Sequence, residues 1–377
     1  MTSAIRKSRR YLLELTGLPT APGNEHYVIN WILQWASQHK NIQVRRDRYG
    51  NVLLKNKTAA RTNPLIFTAH MDHPAFVVRR LTGPNTLQAQ FRGSVADTCF
   101  KIGTALNLYH KDLPAQSGRL AEFFPAHSKF DFKHALIQFN KPVQTQPGDI
   151  LTWRLPPPDI RDGYLFAPVC DDLAGVAAAI SAFEQLSTGH GRKPDVRVLL
   201  TRAEEVGFLG AIGACRSRLF PKQAILIALE SSRSFLESPI GAGPIVRVGD
   251  MLSTFDADTT YRVGQIAKAL ADSNKRFQWQ RKLMAGGACE ATAFKTFGYR
   301  ATCVCLPLGN YHNMKTRKNS DEFLDGRITS EMISVNDYHH LVQLLVELGS
   351  ALNNALKSPS LRSRLNELFS RRKSILT

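Results

Sequence analysis

An α/β fold, a mostly parallel sheet in a three-layer α/β/α domain with a β-rich, barrel-like insertion, follows from three features of the sequence. Short apolar runs at Pro64 to Ala69, Val196 to Leu200, Ala224 to Leu229 and Ala301 to Leu306 alternate with stretches of helical periodicity. Polar residues gather where those runs stop. From about Arg80 to Asp162 the pattern changes to short strand-like pieces set off by Gly93, Gly103, Gly118 and Gly148, leaving through Pro156-Pro157-Pro158.

The first helix is expected over Glu25 to His39, where Val28, Ile29, Ile32, Leu33 and Trp35 share a face after the Pro22-Gly23-Asn24 turn. Ile42 to Leu54 alternates around Tyr49-Gly50-Asn51 and reads as a hairpin, and Pro64 to Ala69 as a buried strand ending at His70. Helical patterns follow at Leu173 to Leu186, Leu209 to Arg218 and, at greater length, Ser330 to Leu352. This gives a catalytic α/β domain over residues 1–80 and 163–356, an insertion over 81–162, and a basic tail over 357–377 that reads as an amphipathic helix or a mobile end. In open sheets of this type, ligands bind beyond the carboxyl ends of the strands.

With 377 residues, 43% hydrophobic and 21% charged, the chain has the composition of a folded protein. Its 49 Lys and Arg against 31 Asp and Glu leave a formal charge of +18, which invites anionic partners. With no RNA-binding aromatic signature and no zinc-knuckle spacing, a solvated basic surface is favoured over nucleic-acid binding. The start lacks the apolar stretch of a secretory signal and no segment approaches the roughly 20 apolar residues of a membrane span, so a cytoplasmic location without membrane insertion is expected. Cys99, Cys170, Cys215, Cys289, Cys303 and Cys305 show no CxxC spacing and read as buried reduced thiols.

His70 and Asp72 form a His-x-Asp at a strand end, where the imidazole can bind a metal and the carboxylate can hold it in orientation. Taken alone, the pair is more often a hydrogen-bonded loop feature. Asp171-Asp172 opens a helix and reads first as two acidic residues at its N-terminus, Asp172 as the cap, with Asp171 free to turn both oxygens outward. The small Ala174 and Gly175 let that helix approach closely. Glu204-Glu205 follows a strand and precedes Val206-Gly207, so one carboxylate can bind metal while the other handles a proton, or both decorate a helix start. Glu230 closes a very apolar run, where an ionised group is costly unless paired or liganded. His312 follows another strand, and a surface histidine is the plain alternative. Together these strand ends deliver a set of hard and borderline metal ligands, which is far less common by chance than any one of them.

These stretches, with Leu12 to Asn24, Tyr49-Gly50-Asn51, Ala69-His70-Met71-Asp72, Gly241 to Pro244 and Gly286-Gly287, resemble the tetrahedral aminopeptidases over nearly the full length. That family comprises co-catalytic metalloaminopeptidases, glutamyl, leucyl and lysyl enzymes among them. The resemblance implies an aminopeptidase with two divalent metal ions, zinc or cobalt first, with manganese left open by the oxygen-rich ligands. It implies one ion on His70, Asp171 and Glu230, and a second on Asp171, Glu205 and His312, about 3.5 to 4 Å apart. Glu204 would be the general base, with Asp72 orienting His70. It further implies peptide substrates, oligomer contacts through the insertion, and assembly from dimers up to a dodecamer.

Three departures from the family pattern lie near the site. His73 stands where an acidic residue is usual and reads as a substrate contact or surface residue rather than an extra ligand; Leu173 replaces a common Arg; and Ala288-Cys289-Glu290 replaces a Gly-Gly-Thr-Asp-type stretch. Two rivals remain at the level of sequence. One is an amidohydrolase or deacylase on the same ligands, and the other a basic nucleic-acid or surface-binding protein that has kept the fold without catalysis.

Overall fold

The computed structural model describes residues 3–376 except 61–62, 112, 129, 189–192, 317–322 and 356–359. Helices α1 (Ser3–Thr16) and α2 (His26–Ser37) precede strands β1 (Ile42–Arg46), β2 (Val52–Asn56) and β3 (Leu65–His70). A barrel follows, made of β4 (Ala75–Gly83), β5 (Thr86–Arg92), β6 (Ala105–Tyr109), β7 (Gln116–Phe124), β8 (Lys133–Phe139) and β9 (Ile150–Trp153). The chain re-enters the large sheet through β10 (Asp159–Arg161) and β11 (Tyr164–Ala167), then continues with α3 (Leu173–Ser187), β12 (Val196–Thr201), α4 (Leu209–Arg216), β13 (Ile225–Arg233) and β14 (Ile245–Gly249). It ends with α5 (Ala257–Ser273), β15 (Gln280–Leu283), α6 (Glu290–Thr296), β16 (Arg300–Leu308), β17 (Met314–Thr316), β18 (Phe323–Ile328), β19 (Glu331–Ser334), α7 (Val335–Ala355) and α8 (Leu361–Arg372).

The large sheet runs β1-β2-β12-β3-β13-β16-β19-β11-β10, with β14 joined to β16 and β15 to β14. Its centre, β12-β3-β13-β16, is parallel. The flanks pair antiparallel at β2–β12, β16–β19 and β14–β16. Parallel strands must be covered on both faces, and here they are. Helices α1, α2, α3, α5 and α7 pack on one face around Leu12, Ile32, Phe67, Ile180 and Leu344. Helices α4 and α6 pack on the other around Ile66, Leu226, Ala214 and Phe294. These are the expected three layers.

The insertion closes as an antiparallel barrel in the order β4-β5-β8-β7-β6-β9, filled by Phe76, Phe91, Phe100 and Trp153. Closure removes the exposed edges that a meander of short strands would present. Residues 81 and 162 fall within β4 and just after β10.

Two local expectations change. The long helical pattern from Ser330 begins as strand β19, and the helix itself starts at Val335. The apolar spacing of Met332, Ile333 and Val335 fits either period over so few residues, and pairing with β11 decides for the strand. Helices α1 and α5 carry no apolar run that stands out from sequence and are held by burial against α3 and α7. Among the described residues no helix is long and apolar enough to cross a membrane, and all six cysteines are buried and free.

Candidate active site

The central strands β3, β12 and β13 and the turn into α3 end around one space, as the parallel topology requires. His70 closes β3, Asp171 precedes α3, Glu204 and Glu205 follow β12, and Glu230 lies in β13 beside Cys305 of β16. His312 comes from the loop between β16 and β17. All are buried except Glu205, whose side chain is still only 6% exposed.

The distances show how these side chains converge. His70 Nε2 lies 3.3 Å from Asp171 Oδ1 and 4.0 Å from Glu230 Oε1. On the other side of Asp171, Oδ2 lies 3.9 Å from His312 Nε2, which is 2.9 Å from Glu205 Oε1. Asp171 thus faces His70 with one oxygen and His312 with the other. His70, Asp171 and Glu205 offer one donor atom each within 4.8 Å of one another. That trio draws on both ligand sets expected from the sequence, with Asp171 common to each.

A test of fit for metal comes from the unpaired atoms. His70 Nε2, Asp171 Oδ1, Glu205 Oε1 and Glu230 Oε2 are buried and make no hydrogen bond. The 2.9 Å approach of His312 Nε2 to Glu205 Oε1 likewise lacks hydrogen-bond alignment. Unpaired buried polar atoms are rare and costly, and this group turns toward a common space. The mixed imidazole and carboxylate donors suit a borderline divalent ion such as zinc.

The two histidines are oriented from behind. His70 Nδ1 donates to the Asp72 carbonyl oxygen at 3.0 Å, and His312 Nδ1 donates to the Ser94 carbonyl oxygen at 2.6 Å, so both Nε2 atoms are left as donors to a metal. The Asp72 carboxylate lies 3.7 Å from His70 Nδ1 and instead accepts the backbone N–H groups of Glu204 and Glu205. Asp72 therefore steers His70 through its main chain, not the expected carboxylate, and uses the carboxylate to position the Glu204-Glu205 turn. Ala203, at φ 52° just before that turn, is held by the Glu25 carboxylate, which accepts its N–H at 3.0 Å.

Asp172 sits at the N-cap position of α3 but makes no capping bond; its Oδ1 accepts from Ser231 Oγ, and its carboxyl lies over Gly175. A Cβ at Gly175 would approach that carboxyl to 2.3 Å, so glycine is required there. His73 is not a surface residue. It is 3% exposed, with Nδ1 donating to the Asp171 carbonyl oxygen at 2.6 Å and Nε2 3.0 Å from Asn313 Oδ1, which leaves no nitrogen for a metal. Glu331, hidden in the helical reading of its segment, accepts the N–H groups of Cys170 and Asp171 at 2.7 and 2.9 Å. Its neighbours Thr329, Ser330 and Ser334 are polar, and nothing in the sequence singles it out.

Electrostatics also call for cations. Burial pushes the Glu204 and Glu230 carboxyls well above their usual range, and the neighbouring carboxylates push in the same direction. Burial likewise raises Asp72, to about 7, against the opposing pull of His70. For His312, burial lowers the pKa but Glu205 outweighs it, and the imidazole rises to about 9.

Beside these side chains lies a cavity of about 410 Å³ walled by Phe235, Met284, Ala288 and Tyr311. Arg247 lines it while only 1% exposed, its Nη1 donating to Ser232 Oγ at 2.8 Å and its Nε unpaired. Glu290, at the start of α6, is buried against Thr68 beneath the site, and burial raises its carboxyl to about 7.

Residues 137–325 match the model of the M42 glutamyl aminopeptidase family. The chain belongs to that family. M42 enzymes are metal-dependent aminopeptidases, and the protein is accordingly a metalloaminopeptidase, a hydrolase of peptide bonds. Its fold is similar to that of the Pyrococcus horikoshii TET1 peptidase, described as assembling into a tetrahedron or a large octahedral shell, with a TM-score of 0.72 at 20% identity over 91% of this chain and 99% of that one. An aminopeptidase from the archaeon Desulfurococcus kamchatkensis aligns with a TM-score of 0.70 at 18% identity, over 91% and 94% of the two chains. None of the curated proteins compared matches the M42 chain in sequence.

Proposed function

We propose that the protein is a two-metal aminopeptidase that removes N-terminal residues from peptides, with Glu204 as general base. The observation that carries this reading is the set of buried, unpaired donor atoms of His70, Asp171, Glu205 and Glu230 turned toward one space, with His312 opposite. His70, Asp171 and Glu230 would hold one ion, and Asp171, Glu205 and His312 the other. Zinc or cobalt suits this set, and manganese is accommodated by its carboxylates. Bound there, such ions supply Lewis acidity toward the scissile carbonyl and lower the pKa of the attacking water to about 7.

Glu204 belongs to neither ligand set and lines the same cavity as the ligands. It takes the proton from the attacking water and returns it to the leaving amine, a role suited to a carboxyl raised by burial. Asp72 acts as a positioning residue, holding the Glu204 and Glu205 main chain. The cavity beside the ligands receives the side chain of the N-terminal residue. Arg247 in its wall has no carboxylate of the described residues in ion-pair contact, its fixed partners being Ser232 and the carbonyl oxygens of Met284 and Gly287. Glu230 attracts this guanidinium without pairing with it; a buried guanidinium without a paired carboxylate is costly, and an acidic substrate side chain would provide one. The enzyme is therefore read as preferring N-terminal Glu or Asp.

Assembly into dimers or larger shells through the barrel, in the cytoplasm, completes the reading. It is supported by the fold shared with shell-forming peptidases and by six buried free thiols. The decisive experiment strips the protein of metal, restores zinc, cobalt or manganese, and follows hydrolysis of free-amine and N-acetylated aminoacyl anilides. Release from free-amine substrates alone supports the proposal. Release from acetylated substrates alone would replace it with a deacylase.

A further inference from the structure

Helix α8 has no part in the site, and nothing in it is buried. Ser360 caps it, accepting the N–H of Ser363 at 3.2 Å, so the helix is locally well formed. Leu361, Leu365, Leu368 and Phe369 recur at the spacing of one helical face, and Ile375 and Leu376 follow in and after the short 3-10 turn beyond it. All six are exposed, Leu365 by 57% and Phe369 by 59%. At 100° per residue, Arg362 borders the stripe on one side and Arg364 and Arg371 on the other, Arg372 closes it within the last turn, and Ser363 and Ser370 lie opposite; Arg371 is paired with Glu367. Arg364 reaches Tyr261 of α5, by a hydrogen bond and over its ring.

A stripe of leucine and phenylalanine edged on both sides by long cations is the arrangement that sits at a charged apolar boundary, with hydrocarbon inward and guanidinium groups at the level of anionic headgroups. Charge selects the occupant. The same helix of a second copy would set Arg362, Arg364 and Arg372 against their own counterparts, like charge against like. A nucleic acid would satisfy the arginines but leave Leu365 and Phe369 in water. We propose that α8 is a surface anchor that lays this stripe on a bilayer containing anionic phospholipid, holding the peptidase at a membrane face without spanning it.

The test uses the full chain in flotation with vesicles of phosphatidylcholine, with and without phosphatidylglycerol. The expected result is co-flotation only where phosphatidylglycerol is present, weakened about tenfold or more as salt is raised. A double substitution, Leu365→Ser with Phe369→Ser, should abolish flotation and leave anilide turnover unchanged, since neither residue lies near the metal ligands. No flotation of the native chain with phosphatidylglycerol vesicles overturns the proposal, as does flotation that survives the double substitution. Sedimentation in which the double variant falls to a smaller assembly also overturns it, and gives the stripe to a second copy.

Discussion

His312 Nδ1 donates to the carbonyl oxygen of Ser94, 2.6 Å away, so a candidate metal ligand on the peptidase sheet is aimed by the main chain of the inserted barrel. His312 itself has φ 51°, a conformation a non-glycine residue keeps only when its surroundings impose it. The barrel is thereby part of the site's construction.

Gly93, next to Ser94, has φ +113°, and a Cβ there would come within 2.7 Å of Pro74. Gly93→Ala should displace the Ser94 carbonyl from His312. The expected outcome is a metal affinity lowered by roughly 10- to 100-fold at one of two positions with the fold kept. Metal titration alongside circular dichroism checks it, and unchanged affinity at both positions would remove Ser94 from the ligand's support.

Glu204→Gln keeps the size of the side chain but cannot accept a proton. Turnover should fall by about 10²- to 10⁴-fold while the metal content stays that of the native chain. Elemental analysis and kcat on the same preparation separate the two effects, and a variant that loses metal would reassign Glu204 as a ligand.

Arg247→Met leaves a cavity of similar volume without the guanidinium. We expect kcat/KM on an N-terminal Glu anilide to drop by about a hundredfold and that on a Leu anilide to hold or rise. Equal losses on both substrates would mean that Arg247 shapes the pocket without reading charge.

Glu184, away from the site, receives Lys7 at 2.7 Å and faces His39 at 2.9 Å. Burial works against its ionised form, but Lys7 and His39 outweigh that and hold its carboxyl below the usual range. A depressed folded-state value stabilises the protein above the unfolded carboxylate value and is lost as pH falls through the folded one. Glu184→Gln should cost roughly 2 kcal/mol at neutral pH. Thermal melts of the two proteins should converge in acid, and a gap that persists there would point to packing.

Much of this was readable in the sequence because each strand end carries its own signal, an apolar run stopped by one titratable residue, as at His70 and Glu230. The same signal misled at Asp172, where the cap chemistry was right for the position but the carboxyl turns to Ser231 and rests over Gly175. Residues that act through long-range contacts were not legible. Glu331 meets Cys170 and Asp171 only because β19 pairs with β11, and Arg247 carries no local sign of the burial that β14 imposes on it. His73 was misread for the same reason, since its partners Asp171 and Asn313 lie far along the chain.

The parallel centre of the sheet, β12-β3-β13-β16, also bears on biosynthesis. A nascent chain leaving the ribosome delivers His70 early, closes the barrel when β9 arrives to pair with β4 and β6, and supplies His312 much later. The barrel's pairings all lie within residues 75–153, so it can close while the cluster of carboxylates stays open, since strand pairing between more distant segments is slower. If His312 is a metal ligand, as proposed, metal capture is a late event in the making of the enzyme, and peptidase activity is withheld until His312 has been synthesised.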